Sequence, residues 1–96
     1  MPRPSYGALS EEISEEIAAI TQEILDMKAK MSALNSIINR GLEIKWLAET
    51  YGLDEYAIEA TRMVDSAVKK KKTLKENIRT YERTVEMLKL KLHRGG

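Results

Sequence analysis

The chain has 96 residues, of which 32% are charged and only 5% aromatic, with no Phe, no Cys and a formal net charge of +1. Such a length makes one domain with a modest core, and this composition favours helices over sheets. Without cysteine, disulfides, thiolate nucleophiles and cysteine-based metal sites are excluded, and with His93 as the only histidine a histidine metal cluster within one chain is excluded too.

The chain opens on Met1-Pro2-Arg3-Pro4-Ser5-Tyr6-Gly7, which lacks the apolar core of a signal peptide. Residues 1–9 are expected to form a flexible arm, and the protein is expected to be soluble and cytoplasmic. Ser10 is placed to cap a helix whose first turn would carry Glu11 and Glu12, where the helix dipole favours negative charge.

From Ile13 the apolar residues fall at Ile17, Ile20, Ile24, Met27, Met31, Leu34 and Ile38, alternating steps of four and three. That period of about 3.5 is the mark of a coiled-coil seam, since a strand repeats at two. A helix over 10–40 is expected. Carrying the same rhythm past Ile38 puts Gly41 and Lys45 into the seam, whereas a shift of one residue puts Leu42 and Trp46 there. Glycine weakens a helix interior, so Gly41 reads as a bend or break followed by a short helix over 42–51.

Gly52 is the candidate for the chain reversal, because glycine accepts the left-handed conformation that ends a helix and Asp54 can cap the next one. The next helix, over 54–93, carries a seam through Ala57, Ala60, Val64, Ala67, Lys71, Leu74, Ile78, Tyr81, Val85, Leu88 and Leu92, and Gly95-Gly96 would end it. Reversal at Gly52 sets Ile13 against Leu92, Ile24 against Tyr81 and Ile38 against Ala67.

Charge agrees with that fold. Residues 9–34 hold Glu11, Glu12, Glu15, Glu16, Glu23 and Asp26 against Lys28 and Lys30, while residues 66–96 hold seven Lys and three Arg against Glu76, Glu82 and Glu86. The acidic start would meet the basic end. The expected fold is therefore all-α: an antiparallel coiled-coil hairpin with a kink or short extra helix near its tip. Apolar residues outside the strict seam, such as Leu25, Ile37, Ile58, Val68, Met87 and Leu90, remain to be covered, so two hairpins are expected to dimerise into a four-helix bundle. Ile17, Ile24, Met31, Ile38, Leu74, Ile78, Tyr81 and Leu88 are the candidate oligomer seam, and a tetramer is the larger alternative. Lys71 interrupts that seam, either fixing register or laying its stem along the seam with its ammonium in water.

Three functional classes follow. In the first, the chain is a non-enzymatic scaffold or adaptor that contacts another protein through helix faces and the hairpin tip, with Trp46, Tyr51 and Tyr56 as contact candidates. The plainer reading of those aromatics is a plug at the end of the bundle, with Trp46, Leu47, Ile58 and Met63 filling around Ala57, Ala60 and Ala67. In the second, Lys69, Lys70, Lys72, Lys75 and Arg79 contact phosphates of a nucleic acid, although consecutive lysines point in nearly all directions around a helix and no aromatic platform accompanies them. The third is a small helical enzyme, for which the sequence offers no catalytic residue, cofactor site or metal site.

Ile13 to Met31 looks like the first helix of the all-helical chorismate mutases, but its seam is Ile, Met and Leu where that family needs cationic residues. The hairpin form and central Trp46 resemble the small helical proteins exported by type VII secretion, yet Leu47-Ala48 stands in place of that family's X-Gly. Both are likenesses of shape, and neither family is assigned.

Overall fold

The computed structural model describes residues 6–94, with side-chain surroundings from Leu9 onward. It is a helical hairpin of two long helices, α1 (Tyr6–Thr50) and α2 (Asp54–Arg94). Residues 1–5 of the expected arm and the terminal Gly95-Gly96 lie outside the described residues.

The first helix starts earlier than the capping signal suggested. Ser10 lies inside α1 and is half-buried, so it caps nothing, and no acid sits in the first turn. The reason is visible in the seam rhythm, which runs back from Ile13 by three to Ser10 and by four to Tyr6. Residues 6–9 are helix and not part of an arm.

Gly41 does not break the helix either: α1 is continuous to Thr50, and no separate helix spans 42–51. The steps of four and three continue through Gly41, Lys45 and Ala48, of which Gly41 and Ala48 are buried and Lys45 is half-buried. A Cβ on Gly41 would stand 2.6 Å from Val64 Cγ2, 3.2 Å from Met63 Cε and 3.7 Å from the Ala60 carbonyl oxygen. Ordinary carbon contacts lie at about 3.5 to 4.0 Å, so glycine is here because the helices approach too closely for a side chain. Heptad continuity outweighs the roughly 1 kcal/mol that glycine costs in a helix interior. The contact of Gly41 with Ala60 and Val64 also agrees with the register expected from reversal at Gly52.

The turn itself is compact. Gly52 has φ +70°, the only positive φ among the described residues. The Leu53 N–H donates to the Ala48 carbonyl at 2.8 Å and the Gly52 N–H to the Glu49 carbonyl at 3.3 Å, the paired bonds of a Schellman motif. The Thr50 hydroxyl donates to the Trp46 carbonyl at 2.8 Å in the same last turn. The Leu53 carbonyl then accepts from the Ala57 N–H at 3.1 Å, which makes Leu53 the cap position of α2. Asp54 is thus the first residue of the helix and not its cap. With Glu55 it places negative charge on the first turn, while Lys91, His93 and Arg94 place basic groups on the last.

The hairpin divides into a tip unit, Lys28–Glu76, and an end unit that pairs the residues up to Met27 with those from Asn77. The end unit buries Ile24, Ile78 and Val85, with Ile13, Ile17, Ile20, Met27, Tyr81, Leu88 and Leu92 half-buried around them. Glu12 and Glu16 line one depression there together with Lys91 and Arg94, so the acidic start of α1 does meet the basic end of α2. The tip unit is built differently. Its buried side chains are Ala48, Ala60 and Ala67, each 4% exposed, and the larger seam residues Met31, Leu34, Ile38, Val64 and Leu74 are only half-buried. Small residues draw the helices together at the tip and leave the large apolar side chains beside the seam on the outside.

Candidate interaction surface

With the seam residues at heptad positions a and d, Ile37, Ile44 and Tyr51 of α1 and Tyr56, Met63 and Lys70 of α2 all fall at position g. In an antiparallel pair they share one flank. Leu42 and Glu49 of α1 and Thr61 and Val68 of α2 fall at e, on the opposite flank. The grooves obey this division: Lys30 and Ile37 line one with Lys70, and Glu49 lines another with Thr61.

Among the described residues, fifteen large apolar side chains are exposed, and eleven of them belong to the tip unit. Single exposed apolar residues are ordinary; a concentration of them is not. Trp46 is 67% exposed, Tyr51 72% and Tyr56 61%, so none of the three plugs the bundle end. Leu47 and Ile58 are exposed as well and do not fill the space around the alanines, whereas Met63, also exposed, brings its terminal methyl against Gly41 beside Ala60. The physical reason is the unshifted heptad: once Gly41, Lys45 and Ala48 hold the seam, Trp46 and Leu47 must point away from it. Trp46 instead lines a shallow depression with Leu42, Glu43 and Leu47 on the outer surface of α1. Tyr51 and Tyr56 do not line it; both fall at g on the other flank, so Trp46 does not share one patch with them.

The oligomer-seam candidates are placed inside the hairpin. Ile24 and Ile78 are buried, and Ile17, Met31, Ile38, Leu74, Tyr81 and Leu88 half-buried, at the seam positions where α1 and α2 pack. The surface left for another molecule lies on the flanks.

The basic residues are likewise dispersed. Lys69, Lys70, Lys72 and Lys75 are exposed in the tip unit and Arg79 is exposed in the end unit. Lys71 is half-buried at its seam position. Lys69 and Lys70 line a groove of about 560 Å³ with Lys30, Ala33, Leu34, Ile37, Thr73 and Leu74. The lining holds no acid.

No protein family model matches the chain, and no curated protein or solved structure matches it significantly. Among the described residues, no group of three or more His, Asp or Glu side chains is gathered to hold a metal ion, and no helix is long and apolar enough to cross a membrane.

Lys30, which lines the groove with Lys69 and Lys70, and the exposed Leu42, Ile44 and Leu47 were not among the residues expected at the surface. A signal for part of this was present. Ala33, Ile37, Arg40, Ile44, Leu47 and Tyr51 repeat the steps of four and three one position before the seam, marking a second stripe on the flank of α1.

Proposed function

We propose that this chain is a non-enzymatic, cytoplasmic helical scaffold that self-associates and presents its hairpin tip to another protein. The observation that carries the reading is the concentration of eleven exposed large apolar residues in the tip unit. Covering such side chains stabilises an assembly by about 25 cal/mol per Å² of apolar surface removed from water. Two hairpins side by side would form a four-helix bundle. The e flank suits that pairing, because Leu42, Trp46, Ile58 and Val68 are accompanied there by charges of both signs, Glu43, Glu49 and Asp65 with Arg62 and Lys72.

Mass by light scattering coupled to size exclusion tests the self-association. A mass of two or four chains supports the scaffold, and a monomer across the accessible concentration range sinks that half of the proposal. Replacing Trp46, Tyr51 and Tyr56 together by Ala tests the tip. Because all three are exposed, helicity by circular dichroism should stay nearly unchanged while partner capture is lost; unchanged capture removes the tip from the function.

A second reading has the exposed Lys69, Lys70, Lys72 and Lys75 supporting it. As a nucleic-acid-binding module the chain would form a complex whose affinity falls steeply with salt. Gel-shift titration at low salt that shows no complex excludes it.

A further inference from the structure

The g flank of the tip unit differs in charge from the e flank. Its groove has an apolar floor, Ala33, Leu34, Ile37 and Leu74, and a rim that carries Lys30 on the α1 side and Lys69 and Lys70 on the α2 side. Arg40 extends the basic edge along α1, one turn beyond Ile37. An apolar floor between two cationic edges is the complement of a helix with an apolar stripe flanked by carboxylates. We propose that this groove is the docking site for an acidic amphipathic helix of a partner protein, laid between α1 and α2 as a third helix.

The alternatives fit less well. A second copy meeting this flank by two-fold symmetry would set the same lysines against one another in an apolar setting, which is repulsive. A second copy offering its acidic stretch has already committed Ile13, Ile17, Ile20 and Ile24 to its own seam, leaving only Leu9, Ala18, Ala19 and Leu25 among the glutamates, too thin a stripe. A nucleic acid would find no aromatic side chain in the lining on which to stack a base. The groove is open to solvent and lined by both helices, as a docked helix requires and an enclosed small ligand does not.

This proposal deepens the scaffold reading by naming the chemistry of the partner, and its test is read independently of self-association. The probe is a fluorescent peptide of three heptads with Leu at a and d and Glu at e and g; its control carries Lys in place of Glu. Anisotropy titration with the full chain should show the acidic peptide binding at least tenfold tighter than the basic one. K30E/K69E/K70E should weaken the acidic peptide tenfold or more and reverse the preference, and Ile37→Glu should abolish binding of both. All four residues are exposed, and unchanged helicity confirms that each variant is folded.

Equal binding of the two peptides, no binding of either, or indifference to the lysine reversals overturns the proposal. Binding of phosphatidylglycerol vesicles through the same lysines without binding of the acidic peptide overturns it in favour of a lipid surface. A change of mass in K30E/K69E/K70E by light scattering, with no peptide bound to the unmodified chain, overturns it in favour of a second copy. A monomeric chain that still binds the acidic peptide removes only the self-association of the scaffold.

Discussion

Replacing Gly41 by Ala separates two effects that act in opposite directions. Helix propensity alone makes the variant more stable by about 1 kcal/mol, because alanine loses less backbone freedom on entering a helix. Packing opposes this. The new Cβ would stand 2.6 Å from Val64 Cγ2, closer than such atoms approach, with Met63 Cε at 3.2 Å. Met63 is exposed and unbranched, and its terminal methyl can swing aside. Val64 is β-branched with one strongly preferred rotamer in a helix, so it can yield only by leaving that rotamer or by pushing the helices apart. Overpacking of this kind costs about 1 to 3 kcal/mol. Taking about 2 for the clash and subtracting about 1 for propensity leaves a net loss of about 1 kcal/mol, which is roughly 4 to 8 °C in a domain of this size. Thermal unfolding followed by circular dichroism, at matched protein concentration because self-association would shift the midpoint, reads the sign directly. The double variant with Val64→Ala should recover part of the loss, giving a coupling of more than about 0.5 kcal/mol. A raised melting temperature for Gly41→Ala would refute the close approach and return Gly41 to the role of a simple helix weakness.

Other expectations follow from the same contacts. Gly52→Ala should lower stability by about 1 to 2 kcal/mol in urea unfolding, because a Cβ is strained at φ +70° even though nothing crowds it; Gly52→Asn should cost less. Ile24→Ala, at one of the few large buried side chains, should cost about 2 to 5 kcal/mol, and a loss under 1 would show that the end unit is not packed as described. Lys71→Leu should raise stability by about 1 kcal/mol through added apolar burial at its half-buried seam position; a drop would mean that the ammonium fixes the register through a polar contact.

Periodicity made the hairpin legible. Two stripes in steps of three and four, a glycine between arms of nearly equal length and opposed charges at the chain ends agreed on it, and it is that agreement that specified the hairpin. What misled was the use of single residue types against a regular pattern. Ser10 followed by Glu11 and Glu12 has the composition of a helix start, yet Ser10 takes a half-buried seam position inside a helix that begins at Tyr6, and a capping preference of about 1 kcal/mol does not stop it. Asp54 was displaced from the cap position for a related reason: the hydrogen bonds around Gly52 bring Leu53 into that place whatever its side chain.

The surface was harder to read because it depends on one decision about Gly41. Taken as a break, that glycine releases Trp46 and Leu42 into the seam, where they become core. Taken as a point of contact with Val64, it keeps the heptad in phase and turns the same side chains outward. A glycine in a helix carries no mark that tells these cases apart until its partner across the interface is known, and here the partners, Ala60 and Val64, lie about twenty residues away in sequence. The same reasoning explains the basic groove. Lys69 and Lys70 look like part of a four-lysine run pointing everywhere, and only the packing of α2 on α1 selects those two, brings Lys30 to face them, and turns Lys71 into the seam. A close approach of backbones at the tip is thus what exposes the flanks, and the exposed flanks are what give this hairpin surfaces to offer a partner.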